Sequence, residues 1–104
     1  MEKERPSAED FALISDTLKQ LCDANRLKIF YLLCHREECV TEIAAQLEMT
    51  SPAASHHLRQ LRLADLITSR RSGKEVYYRA AGTKQAEYLH KMIEELLDLS
   101  CPSR

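Results

Sequence analysis

The sequence predicts a mainly α-helical domain with one β-hairpin, in the order α-α-α-α-β-β-α. Three features indicate this fold class. Apolar residues recur at helical spacing in five segments, a residue that can cap a helix precedes each segment, and β-branched and aromatic runs flank "RSGK". The chain has 104 residues, 44% of them hydrophobic, which suits one soluble domain. We therefore predict a single domain over residues 1–104.

Capping residues predict where each helix begins. Side chains of Ser, Thr and Asp accept hydrogen bonds from free N–H groups in the first turn of a helix. The predicted caps, in chain order, are Ser7, Asp23, Thr41, Ser51 and Thr83. Pro52 then occupies the first helical position of the fourth helix, where its missing N–H costs nothing. The proline is therefore a start signal.

The first and last helices, within residues 1–22 and 83–101, each carry an apolar stripe on an otherwise polar rod. These stripes leave more hydrophobic surface than a thin monomer can cover. A symmetric dimer that pairs the same surface of two copies would bury it. We therefore expect a homodimer joined through these two helices.

Two short helices in residues 41–63 are joined by about three residues, which matches a helix-turn-helix. In that motif the second helix enters the major groove of DNA. The hairpin that follows, residues 64–80, makes the unit a winged helix-turn-helix. Apolar residues line one side of the second helix, and the other side is left with Ser51, Ala53, Ser55, His56, Arg59 and Gln60. Because Arg can donate twice to guanine and Gln can pair with adenine, this side predicts contacts with base edges.

The charges are unevenly distributed along the chain. The formal net charge is −1, yet residues 51–84 contain seven bases and two acids, a local charge of +5. A basic segment in an acidic chain is typical of a localised contact with a polyanion, although a solvated face explains the charge alone equally well. At the hairpin tip, Arg70, Arg71 and Lys74 are predicted to contact phosphates or the adjacent minor groove of double-stranded operator DNA.

Three segments resemble the ArsR/SmtB family of bacterial winged-helix metal-sensing repressors: "LCDANRLKIFYLL", "CVTEIAAQLEMTSPAASHHLRQLRLADLI" and "RRSGKEVYYRA". The stretch S-x-H-L-x-x-L from Ser55 to Leu61 and the "GKEVYY" wing are the most specific parts. The resemblance implies a homodimer joined through its first and last helices. It also implies a repressor that leaves its operator when a metal ion or a thiol-directed effector binds.

Four cysteines are the candidate effector ligands. The sequence shows no hydrophobic targeting or membrane-spanning segment, so we expect a cytoplasmic protein with reduced thiols. In "CHREEC", two thiols and an imidazole lie immediately before the helix-turn-helix. Thiolates and imidazole suit soft or borderline ions. We therefore predict a site for zinc, cadmium, lead or arsenite formed by Cys34, His35, Cys39 and Cys101.

The metal sites implied by the resemblance are incomplete here. Family members carry two cysteines with one residue between them at the start of the third helix, whereas this chain reads Cys39-Val40-Thr41. At the last-helix site, which uses Asp, His, His and Glu in the family, the matching positions are Gly82, Lys84, Glu95 and Asp98. Neither ligand set is therefore carried over.

Other interpretations stay open. The resemblance also implies a second possibility, because some family members sense persulfides or peroxides with one cysteine on the second helix and another on the last. Cys34 and Cys101 lie on those elements about one turn beyond the matching positions, and reactivity requires a lowered thiol pKa. Cys22 and Cys34 also suit small core positions. On the last helix, His90 with Glu87 and Glu94 shares one face that can hold zinc, although this pattern is more typical of a salt-bridged surface.

A DNA-binding or protein-interaction module without a small effector is a further alternative. An enzyme is not expected. "HRE" lacks the P-C-x-x-C partner of a zinc deaminase, and two glycines leave no phosphate-binding loop.

Overall fold

The computed structural model describes residues 5–101 and confirms the predicted fold. Five helices and a β-hairpin follow in the expected order, and a short strand precedes the third helix. The elements are α1 Ala8–Lys19, α2 Ala24–His35, β1 Glu38–Cys39, α3 Val40–Gln46, α4 Ser51–Leu63, β2 Ile67–Ser72, β3 Glu75–Ala80 and α5 Lys84–Ser100. Within residues 5–101, none of the helices combines the length and the apolar character needed to span a membrane.

Three of the five predicted caps are confirmed. The Ser7 hydroxyl accepts from the Asp10 amide, and the Asp10 carboxylate accepts from the Ser7 amide in return. The Asp23 carboxylate accepts from the Arg26 backbone amide at the start of α2, and the Thr83 hydroxyl accepts from the Ala86 backbone amide at the start of α5. Local sequence therefore fixes these three starts.

The other two predicted caps are wrong by one or two residues. α3 is capped at Cys39 rather than Thr41, because the Glu42 carboxylate accepts from the Cys39 amide at 3.0 Å. α4 is capped by Thr50 rather than Ser51, because the Thr50 hydroxyl accepts from the Ala53 amide at 3.1 Å. Pro52 therefore occupies the second helical position, still within the first turn, where amides have no partner in the helix.

The sheet has three antiparallel strands in the order β1-β3-β2. β1 pairs Glu38 with Tyr78 of β3, and the hairpin pairs β2 with β3 from Ile67 opposite Ala80 to Ser72 opposite Glu75. Gly73 has φ +63° as the first of the two turn residues. A positive φ at that position is typical of the type II′ turn, which matches the twist of a hairpin.

The core lies where α2, α3, α4 and the sheet meet. Its largest fully buried side chains are Ile29, Phe30, Ile43, Leu58, Leu61 and Leu66. α2 packs against α4, β3 and α5, so it connects the helix-turn-helix to the last helix. α1 contributes no buried residue.

Candidate nucleic-acid interface

The structure places the predicted polar side of α4 at the surface. Ala54, Leu58 and Leu61 are buried, as their spacing predicts. On the opposite side Ser51, Ser55, His56 and Arg59 are exposed, whereas Ala53 and Gln60 are half-buried. The side chains proposed for base contact are therefore not engaged in the core. Contact with DNA itself stays a prediction.

His57 supports α4 from the side that faces α2, a role that the sequence analysis missed. Its Nδ1 accepts from the Arg26 guanidinium at 3.5 Å. Burial lowers the pKa of the His57 imidazole, although the nearby Asp23 carboxylate opposes that shift. The low pKa favours the neutral ring that this hydrogen bond requires.

Arg70, which was predicted to contact phosphate, forms an ion pair with Glu37 in the structure. Its guanidinium donates two hydrogen bonds to the Glu37 carboxylate, at 2.8 and 2.7 Å. It also lies 5.1 Å from the centre of the Tyr77 ring. The same ion pair lowers the pKa of Glu37. A contact between Arg70 and phosphate stays a prediction, and it would have to break this ion pair.

Arg71 and Lys74 remain candidates for phosphate contact. Residues paired across antiparallel strands share a face of the sheet. Arg71 pairs with Val76, and Ser69 pairs with Tyr78. These four residues therefore lie on the same face of the hairpin. A groove between the wing and α4 joins this face to the helix; it is lined by Ser55, Leu58, Arg59, Arg62, Leu63 and Tyr78. Lys74 is exposed at the turn. We call Arg59, Arg62, Arg71 and Lys74 the basic surface.

The "CHREEC" segment runs from the end of α2 into β1, the short edge strand of the sheet. Glu38 is buried. Its carboxylate pairs with the Arg36 guanidinium at 2.9 Å and accepts from the side-chain Nε2 of Gln46 at 3.0 Å. Cys39 is buried as well, with its Sγ 3.2 Å from the Thr41 hydroxyl. The polar residues between the two cysteines therefore fix the segment in place.

The predicted ligand set Cys34, His35, Cys39 and Cys101 is not assembled within this chain. Among residues 5–101, no group of three potential ligands with closely spaced donor atoms includes a cysteine. Cys39 is turned into the protein, and Cys101 ends α5, eleven residues beyond His90. That separation corresponds to roughly 16 Å of helix rise. Cys34 and His35 therefore share the end of α2, whereas Cys39 lies in β1 and Cys101 follows α5.

The surroundings of Cys34 do not favour a reactive thiol. Burial, together with the Glu94 carboxylate, raises the pKa of Cys34 to about 11. Such a group is a protonated thiol near neutral pH and a weak nucleophile. Cys22, for which a core position was considered, is exposed in the single chain.

One group of potential metal ligands is assembled between α2 and α5. The donor atoms of His35, His90 and Glu94 all lie within 4.8 Å of one another. The Nε2 atoms of the two imidazoles are 3.2 Å apart, and His90 Nε2 is 3.5 Å from a Glu94 carboxylate oxygen. Glu87, considered with His90 and Glu94 from the sequence, is not part of this group.

Comparison with known proteins yields one family. Residues 23–69 match the family model described as "Bacterial regulatory protein, arsR family". The chain is 33% identical over 100 residues to the transcriptional activator HlyU of Vibrio cholerae, across 96% of this chain and 85% of that protein. It is 40% identical over 70 residues to the cadmium resistance regulator CadC of Listeria innocua, across 66% of this chain and 59% of CadC.

A solved structure supports the same relationship. The homodimeric winged helix-turn-helix DNA-binding domain of Mb0332 from Mycobacterium bovis superposes with a TM-score of 0.80 at 28% identity, covering 94% of this chain and 90% of that one. The chain spans only 55% to 59% of the length of several curated relatives. The matched proteins are named as regulators rather than enzymes. The chain therefore belongs to the ArsR/SmtB family.

Proposed function

We propose that this chain is a sequence-specific DNA-binding repressor of transcription, which acts in the cytoplasm as a homodimer. The observation that carries the proposal is the exposed side of α4, whose Ser55, His56 and Arg59 project away from the core. The name of the Mycobacterium bovis domain, which describes a homodimeric DNA-binding domain, supports it.

Base contacts come from α4 and phosphate contacts from the wing. Arg59 presents the paired donors that match guanine in the major groove. In the wing, Arg71 and Lys74 supply positive charge for the DNA backbone, where contacts set register without reading sequence. The free amides at the start of α4 add a positive dipole end that favours a phosphate.

The dimer forms through α1 and α5. Phe11, Leu13 and Ile14 of α1 are 62%, 68% and 54% exposed, and Tyr88 and Leu99 of α5 are 68% and 79% exposed. Large apolar side chains exposed on two helices are typical of a protein interface. Pairing two copies places the two α4 helices on half-sites about 34 Å apart along the DNA.

An effector that binds the protein controls its affinity for DNA. CadC is named for cadmium resistance, which supports a soft or borderline metal ion as the effector. We propose release from DNA as the response. HlyU is named an activator, so repression and activation are separate outcomes in a reporter assay. A reporter that is silenced by the protein and restored by metal supports the proposal, and one that needs the protein for expression contradicts repression.

The binding step is tested with a duplex selected from a random library by the reduced full chain. Fluorescence anisotropy then gives affinities for this duplex and for single-base variants. Arg59→Ala should lose about 1–3 kcal/mol of discrimination at one base pair in each half-site. Lys91→Ala is the matched control, since it removes an exposed positive charge from α5, outside the helix-turn-helix. Retained discrimination in Arg59→Ala would contradict the assigned role of α4.

A further inference from the structure

We propose that His35, His90 and Glu94 form a binding site for a zinc-class divalent cation that joins the end of α2 to α5 within one chain. This site contains no cysteine, so its chemistry differs from that of the thiol site predicted from the sequence. Imidazole and carboxylate ligands suit Zn²⁺ and similar borderline ions, whereas lead and arsenite prefer thiolates.

The distances match the ion. A tetrahedral zinc centre with bonds of about 2.0–2.1 Å holds neighbouring ligand atoms about 3.3 Å apart. His35 Nε2 and His90 Nε2 are separated by 3.2 Å, and His90 Nε2 and Glu94 Oε2 by 3.5 Å. Two edges of the tetrahedron are therefore already formed by the side chains.

The third ligand distinguishes this group from an ordinary surface pair. A His and a Glu four residues apart on one helix commonly form a solvated contact. Here His35 comes from a different helix, 55 positions earlier in the chain, and turns its Nε2 toward the same point. Convergence of donor atoms from two helices is what a metal site in a helical protein requires.

Tyr31 orients these ligands. Its hydroxyl donates to Glu94 Oε2 at 3.4 Å, and its ring lies 4.7 Å from the His35 ring and 5.7 Å from the His90 ring. Hydrogen bonds from groups behind the ligands commonly fix ligand orientation and strengthen metal binding. The site is also open to entering ions, because His35 is exposed and the His90 side chain is 25% exposed. Three protein ligands leave the fourth position to water.

The test measures metal binding without DNA. The reduced full chain is titrated with cobalt(II), and zinc affinity is then measured by competition with a chromophoric chelator. We expect one ion per chain and an absorption spectrum without a thiolate charge-transfer band. His35→Gln, His90→Gln and Glu94→Gln should each weaken zinc binding by about tenfold or more, and Tyr31→Phe should weaken it by about tenfold.

Glu95→Gln is the matched control, since Glu95 is exposed on α5 and lies outside the group. Circular dichroism melts confirm that each variant folds. Cys34→Ser should leave zinc affinity unchanged. A zinc affinity that none of the three ligand variants alters would overturn the site, as would a thiolate band at the first equivalent.

A regulatory consequence rests on the proposed function. α2 leads through β1 into the helix-turn-helix, and α5 carries part of the proposed dimer surface, so an ion that joins α2 to α5 links the two. Zinc should then weaken binding to the selected duplex by about 5- to 150-fold, the usual range for coupled sites. Zinc binding without any change in DNA affinity would refute this link and leave the site intact. Failure of the zinc-free chain to bind any duplex would refute the proposed function alone.

Discussion

The ion pair between Arg70 and Glu37 predicts that neighbouring wing arginines contribute unequally to DNA binding. Each phosphate contact adds about 0.9 to the slope of log affinity against log salt concentration. Arg71→Ala should therefore lower that slope by about 0.9, which changes the ratio of wild-type to variant affinity about 3.5-fold between about 50 and about 200 mM salt. Arg70→Ala should lower it by clearly less, because Glu37 already neutralises that guanidinium.

Glu37→Gln tests the same ion pair by removing the charge of its carboxylate. The Arg70 side chain is 57% exposed and that of Glu37 is 28% exposed, and such surface pairs contribute about 0–1 kcal/mol. Removing the carboxylate charge should therefore free Arg70 for a phosphate at little cost in stability. Glu37→Gln should tighten binding to any duplex and steepen the salt dependence, and adding Arg70→Ala should cancel that gain.

The assay is fluorescence anisotropy with the selected duplex and with an unrelated duplex at three salt concentrations. The four proteins of the Glu37 and Arg70 double-mutant cycle are compared with Arg71→Ala. Suppose that Arg70→Ala and Arg71→Ala change the salt slope equally and that Glu37→Gln has no effect on DNA affinity. Arg70 would then contact a phosphate as readily as Arg71 does, despite its ion pair with Glu37. The distinction between the two arginines would then be refuted.

Three further outcomes concern stability, each measured by urea unfolding. Leu58→Ala should cost about 2–5 kcal/mol, because this α4 side chain is 1% exposed; a loss below 1 kcal/mol would contradict its core position. Thr50→Ala should cost about 1 kcal/mol, whereas Ser51→Ala should cost little, since Thr50 is the cap; the reverse order would reject the corrected helix start. Burial lowers the pKa of folded His57 below its ordinary value of 6.5, so the folded state binds this proton more weakly than the unfolded state. Stability should therefore fall as pH drops through 6.5 and below, and His57→Gln should reduce that fall; an identical pH dependence in both proteins would refute the assignment.

Much of α4 could be predicted from the sequence because its signals are local. A proline in the first turn, an apolar spacing of four and three residues, and a following hairpin together define the helix, its buried side and its exposed side. The exact cap was missed because Thr50 and Ser51 are adjacent and chemically equivalent as caps. Only the backbone geometry distinguishes them.

The parts that could not be predicted depend on contacts between distant positions. β1 has two residues and no alternating pattern, and it exists because β3 lies beside it. Glu37 and Arg70 are 33 positions apart, and His35 and His90 are 55 positions apart. The cysteines of "CHREEC" were given a metal role because their spacing suits one, whereas the burial of Glu38 and Cys39 turns that segment into part of the sheet.

The central claim is that α4 and the wing tip meet DNA. Titration of the ¹⁵N-labelled chain with the selected duplex in dilute salt, followed by two-dimensional NMR, tests it residue by residue. We expect amide shifts to concentrate in residues 51–60 and at the turn between β2 and β3, while amides of α5 change little. Shifts confined to α5, or a spectrum that the duplex leaves unchanged, would contradict a DNA contact through α4 and the wing tip.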